Sequence, residues 1–95
     1  MPKRSQNVPA EYTVYERAIA KEIGARIRQR REHLRLTQEQ VRIRMETESI
    51  SVTQGQFSRI EHGESLLNVA QVIALTKVLE VSYHWLLEGE ESERR

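Results

Sequence analysis

The chain has 95 residues, 38% hydrophobic and 31% charged, a balance that suits one compact domain with a small core under a charged surface. It contains no cysteine and no Asp, which excludes disulfides and thiolate metal sites; its apolar stretches are broken every few residues by Gln, Lys or Glu, so neither a membrane span nor a signal peptide is expected, and the cytoplasm is the expected location. The net charge of +1 hides an asymmetry, with eleven Lys/Arg against five Glu in residues 1–44 and four against nine in the remainder, so the front half offers either a face attractive to phosphates or an ordinary solvated helix surface.

No segment alternates with period two for long enough to make a strand, and helix start and stop signals recur at short intervals, so the chain reads as all-α. Residues 1–8 are polar and uncommitted and read as a mobile arm, and 90–95 as a charged tail. A first helix starts near Pro9 or Ala10, with Tyr12, Tyr15, Ile19, Ile23 and Ile27 forming one apolar stripe. Gly24 interrupts it at a cost of about 1 kcal/mol relative to Ala, yet one long helix is the preferred reading over two pieces. The domain proper is expected over 22–89, with 1–21 as arm and helical extension.

Thr37 opens a second helix with a Thr-x-x-Gln capping pattern to Gln40, and Val41 and Met45 supply its inner face. Thr53 opens a third in the same way, Thr53 to Gln56, with Phe57 and Ile60 inward. Asn68 caps a fourth, whose inner face is read as Val69, Val72, Ile73, Thr76 and Leu79. Ser82 caps a short fifth containing Trp85, Leu86 and Leu87, and Gly63 and Gly89 stand where helices stop.

On a helical wheel, Phe57, Ile60 and Glu61 of the third helix share one side, and Gly55, Ser58, Arg59 and His62 share the other, flanked by Gln54 and Gln56. Gln matches the N6 and N7 groups of adenine and Arg the O6 and N7 of guanine, so this face carries the chemistry of direct base readout. The expected base-reading set is Gln54, Gln56, Ser58 and Arg59, the alternative being a solvated polar helix face. Gln56 has an alternative, because as the last residue of its capping box it can bond the Thr53 backbone instead. Gly55 either permits close approach to a phosphate or thymine methyl, or is drift at a tolerant position. Gln38, at the start of the second helix, stands where free N–H groups and the helix dipole favour a phosphate. Together with Thr53, Gly55 and His62 it makes the expected set of contacts to the DNA backbone.

Three segments, Leu36-Thr-Gln-Glu-Gln-Val41, Val52-Thr-Gln-Gly-Gln-Phe-Ser-Arg-Ile-Glu-His-Gly63 and Val81-Ser-Tyr-His-Trp-Leu-Leu-Glu-Gly89, follow in order along the chain. Together they resemble the helix-turn-helix family of lambda-type repressors, Cro proteins and XRE-like regulators, from about Ile23 to Gly89. The resemblance implies a five-helix lambda-repressor-like domain with an extended first helix, acting as a homodimeric regulator of double-stranded DNA and as a repressor. It also implies that Gln38 contacts the DNA backbone, and that Arg31 and Glu61 match a buried ion pair of some repressors, the alternative being two unpaired surface charges.

One departure stands out: Glu46-Thr-Glu-Ser-Ile-Ser51 occupies the place where a single Gly is common, five extra residues. The simplest expectation is one more turn on the second helix, with Ile50 and Val52 packing underneath. His33, His62 and His84 are too far apart in sequence to form a local ligand motif, so neither metal, cofactor nor catalysis is expected. The competing reading is a protein-interaction module of the same fold, an antitoxin or adaptor docking a partner through the first helix and Tyr12 and Tyr15. Dimer contact is expected at Tyr83, Trp85, Leu86 and Leu87 of the fifth helix, with Tyr12 and Tyr15 as a second surface, although Trp85 is equally suited to anchoring the core.

Overall fold

The computed structural model describes residues 10–89, which form α1 (Ala10–His33), α2 (Gln38–Thr47), α3 (Gln54–Glu61), α4 (Val69–Leu79) and α5 (Tyr83–Glu88). The arm and tail expected at 1–8 and 90–95 lie outside the described residues. The fold is all-helical, and α1 is a single helix of 24 residues, uninterrupted at Gly24.

Each later helix starts where a short polar side chain replaces a missing backbone partner. Thr37 and Gln40, Thr53 and Gln56, and Asn68 and Gln71 form reciprocal capping boxes, and the Ser82 hydroxyl accepts from the Trp85 N–H at 2.9 Å. The Asn68–Gln71 box extends the expected cap, because an Asn carbonyl accepts as a Thr hydroxyl does. Helix ends close by backbone reversal at Arg35, Ser49 and Glu80, all with positive φ near 60–67°, and the N–H of the next residue bonds a carbonyl five positions back.

The segment between α2 and α3 departs from expectation. Only Glu46 and Thr47 of the inserted stretch are helical. Ser49, at φ 67°, turns the chain over, and the Ile50 N–H bonds the Met45 carbonyl at 3.1 Å. The insertion is therefore a closed reversal followed by an extended run into Thr53, rather than an added helical turn. Ile50 does pack against the core and Val52 is buried, so the apolar residues of the insertion have a place to go even though the backbone takes another path.

The core gathers Ile23 and Ile27 of α1, Val41 and Met45 of α2, Val52 of the segment before α3, Phe57 and Ile60 of α3, Ala74, Leu75, Val78 and Leu79 of α4, and Leu86 of α5. The inner face of α4 keeps Thr76 and Leu79, which are buried, and Val72, which packs against the core, but not Val69 and Ile73, which are 76% and 40% exposed; Ala74, Leu75 and Val78 are buried in addition. This helix packs against α1, α2 and α5 together, so it buries a wide arc, and its first turn projects past the core. In α1 the stripe outruns the domain: Ala20 is buried, whereas Tyr12 and Tyr15 are 57% and 67% exposed. In α5, Leu86 is fully buried and unavailable to a partner, Trp85 packs half-buried against the core, and Tyr83 and Leu87 remain exposed.

Two glycines bring α1 against the end of α3. A Cβ on Gly24 would overlap the carbonyl oxygen of Ile60 and lie 2.8 Å from that of Glu61, and one on Gly63, at φ +76°, would lie 2.7 Å from Lys21 Cα. The mid-helix glycine that looks unfavourable in sequence is thus a packing requirement. Gly24→Ala is expected to gain about 1 kcal/mol of helix propensity and lose about 1–3 kcal/mol to overpacking, for a net loss of stability. Urea unfolding reads the sign directly: a midpoint that rises for Gly24→Ala contradicts this packing.

Candidate nucleic-acid interface

The two faces of α3 divide as its sequence suggests. Phe57, Ile60 and Glu61 are buried, whereas Gln54, Gly55, Gln56, Arg59 and His62 are exposed and Ser58 is half-buried. Burying Glu61 requires compensation, and Arg31 of α1 supplies it. Its Nε donates to Glu61 Oε2 at 2.6 Å and its Nη2 to Oε1 at 3.0 Å, while Nη1 donates to the Leu36 carbonyl at 2.9 Å. The side chains are 12% and 3% exposed. The Arg31 pKa is raised above its already high ordinary value, first by the hydrogen bond to Glu61 and then by that carboxylate's charge against an opposing desolvation, so Arg31 stays cationic throughout the neutral range.

From Glu61 the hydrogen bonding runs outward. Gln38 Nε2 donates to Glu61 Oε1 at 2.9 Å, Gln54 Nε2 donates to Gln38 Oε1 at 2.9 Å, and Arg42 Nη1 approaches Gln54 Oε1 at 3.4 Å while its Nε donates to the Val52 carbonyl at 2.9 Å. Sequence pattern placed Gln38 at a phosphate and Gln54 at a base; the structure joins their side chains across the gap between α2 and α3. Gln38 is half-buried, and its amide is turned toward Glu61 and Gln54, with one N–H to spare.

The remaining residues fall into place individually. Gln56 Oε1 accepts from the Thr53 N–H at 3.0 Å, and the Thr53 hydroxyl accepts from the Gln56 N–H at 3.1 Å, so the capping alternative for Gln56 is realised and its Nε2 group has no partner among the described residues. The His62 Nδ1 lies 2.7 Å from the Ser58 carbonyl, an acceptor, so Nδ1 carries a proton and Nε2 is the nitrogen left to solvent. Arg59 makes no hydrogen bond or ion pair among the described residues. A Cβ on Gly55 would meet nothing closer than Arg59 Nη1 at 3.5 Å, so the fold does not require glycine there; its effect is to leave open space beside that guanidinium.

The basic excess of the front half is only partly a surface feature. Arg26 donates to the Leu86 and Leu87 carbonyls at 2.9 and 3.0 Å, and Arg30 to the Leu79 carbonyl at 2.8 Å, capping the carboxyl ends of α5 and α4. These roles and that of Arg42 leave no trace in the sequence, because their partners are backbone carbonyls, far along the chain for Arg26 and Arg30 and across a turn for Arg42. Arg17, Lys21, Arg35, Arg44 and Arg59 remain exposed and without an ion pair among the described residues.

Two short helices, each started by a Thr-to-Gln box and joined by hydrogen bonds through Glu61, with one polar face left outward, are the ingredients of a groove-reading unit. Residues 22–89 match the model of a protein family described as a helix-turn-helix domain. The chain belongs to this helix-turn-helix family. Its matched span covers most of the chain and includes all of α2 to α5, whereas the first turns of α1 precede it. No curated protein and no solved structure matches the chain. In helix-turn-helix domains of DNA-binding type, the second helix of the motif enters the major groove and the first crosses the backbone. None of the described helices is long and apolar enough to cross a membrane.

Removing one partner of a buried ion pair leaves the other uncompensated, at a cost of about 3–5 kcal/mol. Glu61→Ala is therefore expected to destabilise the helix-turn-helix domain by about that amount, and the double substitution Arg31→Met with Glu61→Leu by much less. Chemical denaturation of the unaltered protein, Glu61→Ala and the double variant checks this; a double variant as unstable as Glu61→Ala, or more so, contradicts a coupled pair.

Proposed function

We propose that this protein is a sequence-specific regulator of double-stranded DNA of the phage-repressor, Cro and XRE-like kind, binding in the cytoplasm without catalysis and repressing by occupying its site. The observation that carries this reading is the division of α3. Its inner face is committed to the core and to Arg31, while Gln54 and Arg59 stand on an outer face whose donors and acceptors match base edges in a major groove about 12 Å wide. Gln54, Ser58 and Arg59 read bases. Gln56 has its Oε1 engaged by the Thr53 N–H and offers the DNA chiefly its Nε2 donor. Gln38, Thr53, Gly55 and His62 face the sugar-phosphate strand, with the His62 Nε2 and the spare N–H of Gln38 as side-chain contributors.

One recognition helix reads only a few base pairs, so we propose a two-fold dimer on half-sites about 34 Å apart. The exposed apolar side chains on and near α5 that could serve it include Tyr83 and Leu87 of α5 and Ile73 of α4, all at least 40% exposed. A second reading rests on a separate observation. Tyr12, Val14 and Tyr15 are more than half exposed on the part of α1 that precedes the family match, a surface suited to a protein partner of the antitoxin or adaptor kind.

Selection of bound duplexes from a random pool, followed by titration at several salt concentrations, tests the leading reading. A shared motif and a steep loss of affinity with salt are expected. Arg59→Ala is expected to cost about 1–3 kcal/mol on the selected site and to relax preference at one base position. Recovery of no motif, or equal affinity for selected and scrambled duplexes, contradicts sequence-specific binding.

A further inference from the structure

The hydrogen bonds between Glu61 and Arg42 have a direction, and the direction is enforced at both ends. Glu61 is a carboxylate already paired with Arg31, so its Oε1 accepts and the group facing it must be the Gln38 amide nitrogen. Gln38 Oε1 then points to Gln54 and demands Gln54 Nε2 at 2.9 Å, which turns Gln54 Oε1 toward the Arg42 guanidinium, a donor that cannot accept. The guanidinium is itself held in place, because its Nε donates to the carbonyl of Val52, the residue before the α3 cap, at 2.9 Å. Rotating the Gln54 amide by half a turn would set oxygen against Gln38 Oε1 and N–H groups against Arg42. Two attractive contacts would become two repulsive ones.

We infer that Arg42 is a specificity-positioning residue: by fixing the guanidinium beside Gln54 Oε1, it locks the Gln54 amide in one of its two orientations and so sets which base edge Gln54 accepts. The locked amide retains one lone pair on Oε1 and one hydrogen on Nε2, the pair of groups that complements the adenine N6–H and N7 edge. Because the two groups cannot exchange places, adenine is accepted with its N6 and N7 in one order along the groove and not in the reverse order. Arg42 acts through Gln54 and need not touch the base. The inserted stretch between α2 and α3 takes part, since it delivers the Val52 carbonyl that anchors Arg42. This inference rests on the DNA-binding reading above, but the lock itself exists in the free protein and is measurable there.

Two measurements separate the possibilities. In the free protein, side-chain NMR relaxation of the Gln54 amide is expected to show an ordered group that becomes mobile in Arg42→Met. An amide equally ordered in both, or mobile in both, overturns the lock whether or not DNA binds. On DNA, the base pair read by Gln54 is the one whose discrimination disappears in Gln54→Ala. Arg42→Met is expected to lower discrimination at that pair, on the order of three- to thirtyfold, leave the pair read by Arg59 unchanged, and have no further effect in the Gln54→Ala background. Arg42→Lys keeps the charge but cannot serve the Val52 carbonyl and Gln54 in the same fork, so it is expected to restore overall affinity without restoring discrimination. A uniform loss of affinity for all sequences, an equal loss at the Arg59 position, or full rescue of discrimination by lysine each overturns the inference. Absence of any DNA binding by the unaltered protein defeats the functional reading, and the NMR result then decides the lock alone.

Discussion

The structure depends on a carboxylate placed where carboxylates are expensive. Glu61 ends α3 with its side chain 3% exposed, and burial of such a group is tolerable only when charge and hydrogen bonds are returned to it. Arg31 returns both from α1, and Gln38 adds a donor from α2. Three helices are thereby fixed to one pair of oxygen atoms. An apolar side chain at this position would pack as well but would carry no direction, whereas an acceptor-only group dictates which atom of its neighbour faces it.

Close packing at the same place reinforces that choice. Gly24 and Gly63 let α1 lie against the end of α3 at near backbone contact, which brings Arg31, two turns further along α1, within reach of Glu61. The carboxyl ends of α4 and α5 are tied to α1 by Arg30 and Arg26. The long first helix thus serves as the frame on which the short helices are hung, and α3 is held to it on its inner face by packing and by polar contacts together. Rigid placement matters for base readout, since discrimination between base edges is lost when the reading group can rotate to suit either.

Much of this was legible in the chain. The Thr-to-Gln spacing at 37–40 and 53–56 signalled two helix starts, because a capping box is a local device that needs no tertiary information, and Phe57 and Ile60 marked the buried side of α3 by simple periodicity. The Arg31 and Glu61 match came through resemblance alone, thirty positions apart, and periodicity had no means of proposing it. Other readings failed for physical reasons. Val69 and Ile73 fit an apolar stripe on α4, but three neighbouring helices determined which arc was covered. The composition of the insertion suits one more turn on α2, because nothing in it announces that Ser49 takes a left-handed conformation, an uncommon one for a residue with a side chain. The roles of Arg26, Arg30 and Arg42 were invisible, since a carbonyl acceptor leaves no mark on the sequence.

Placing the contact surface on α3 and the start of α2 makes the rest of the surface a bystander to the DNA. An NMR titration of the protein with its selected duplex tests that placement most directly. The largest shift changes are expected at Thr37–Gln40 and Thr53–His62, including the side-chain amides of Gln38 and Gln54, with the buried core of α4 little affected. Changes concentrated on the exposed first turns of α1 or on α5, with α3 unchanged, would contradict it.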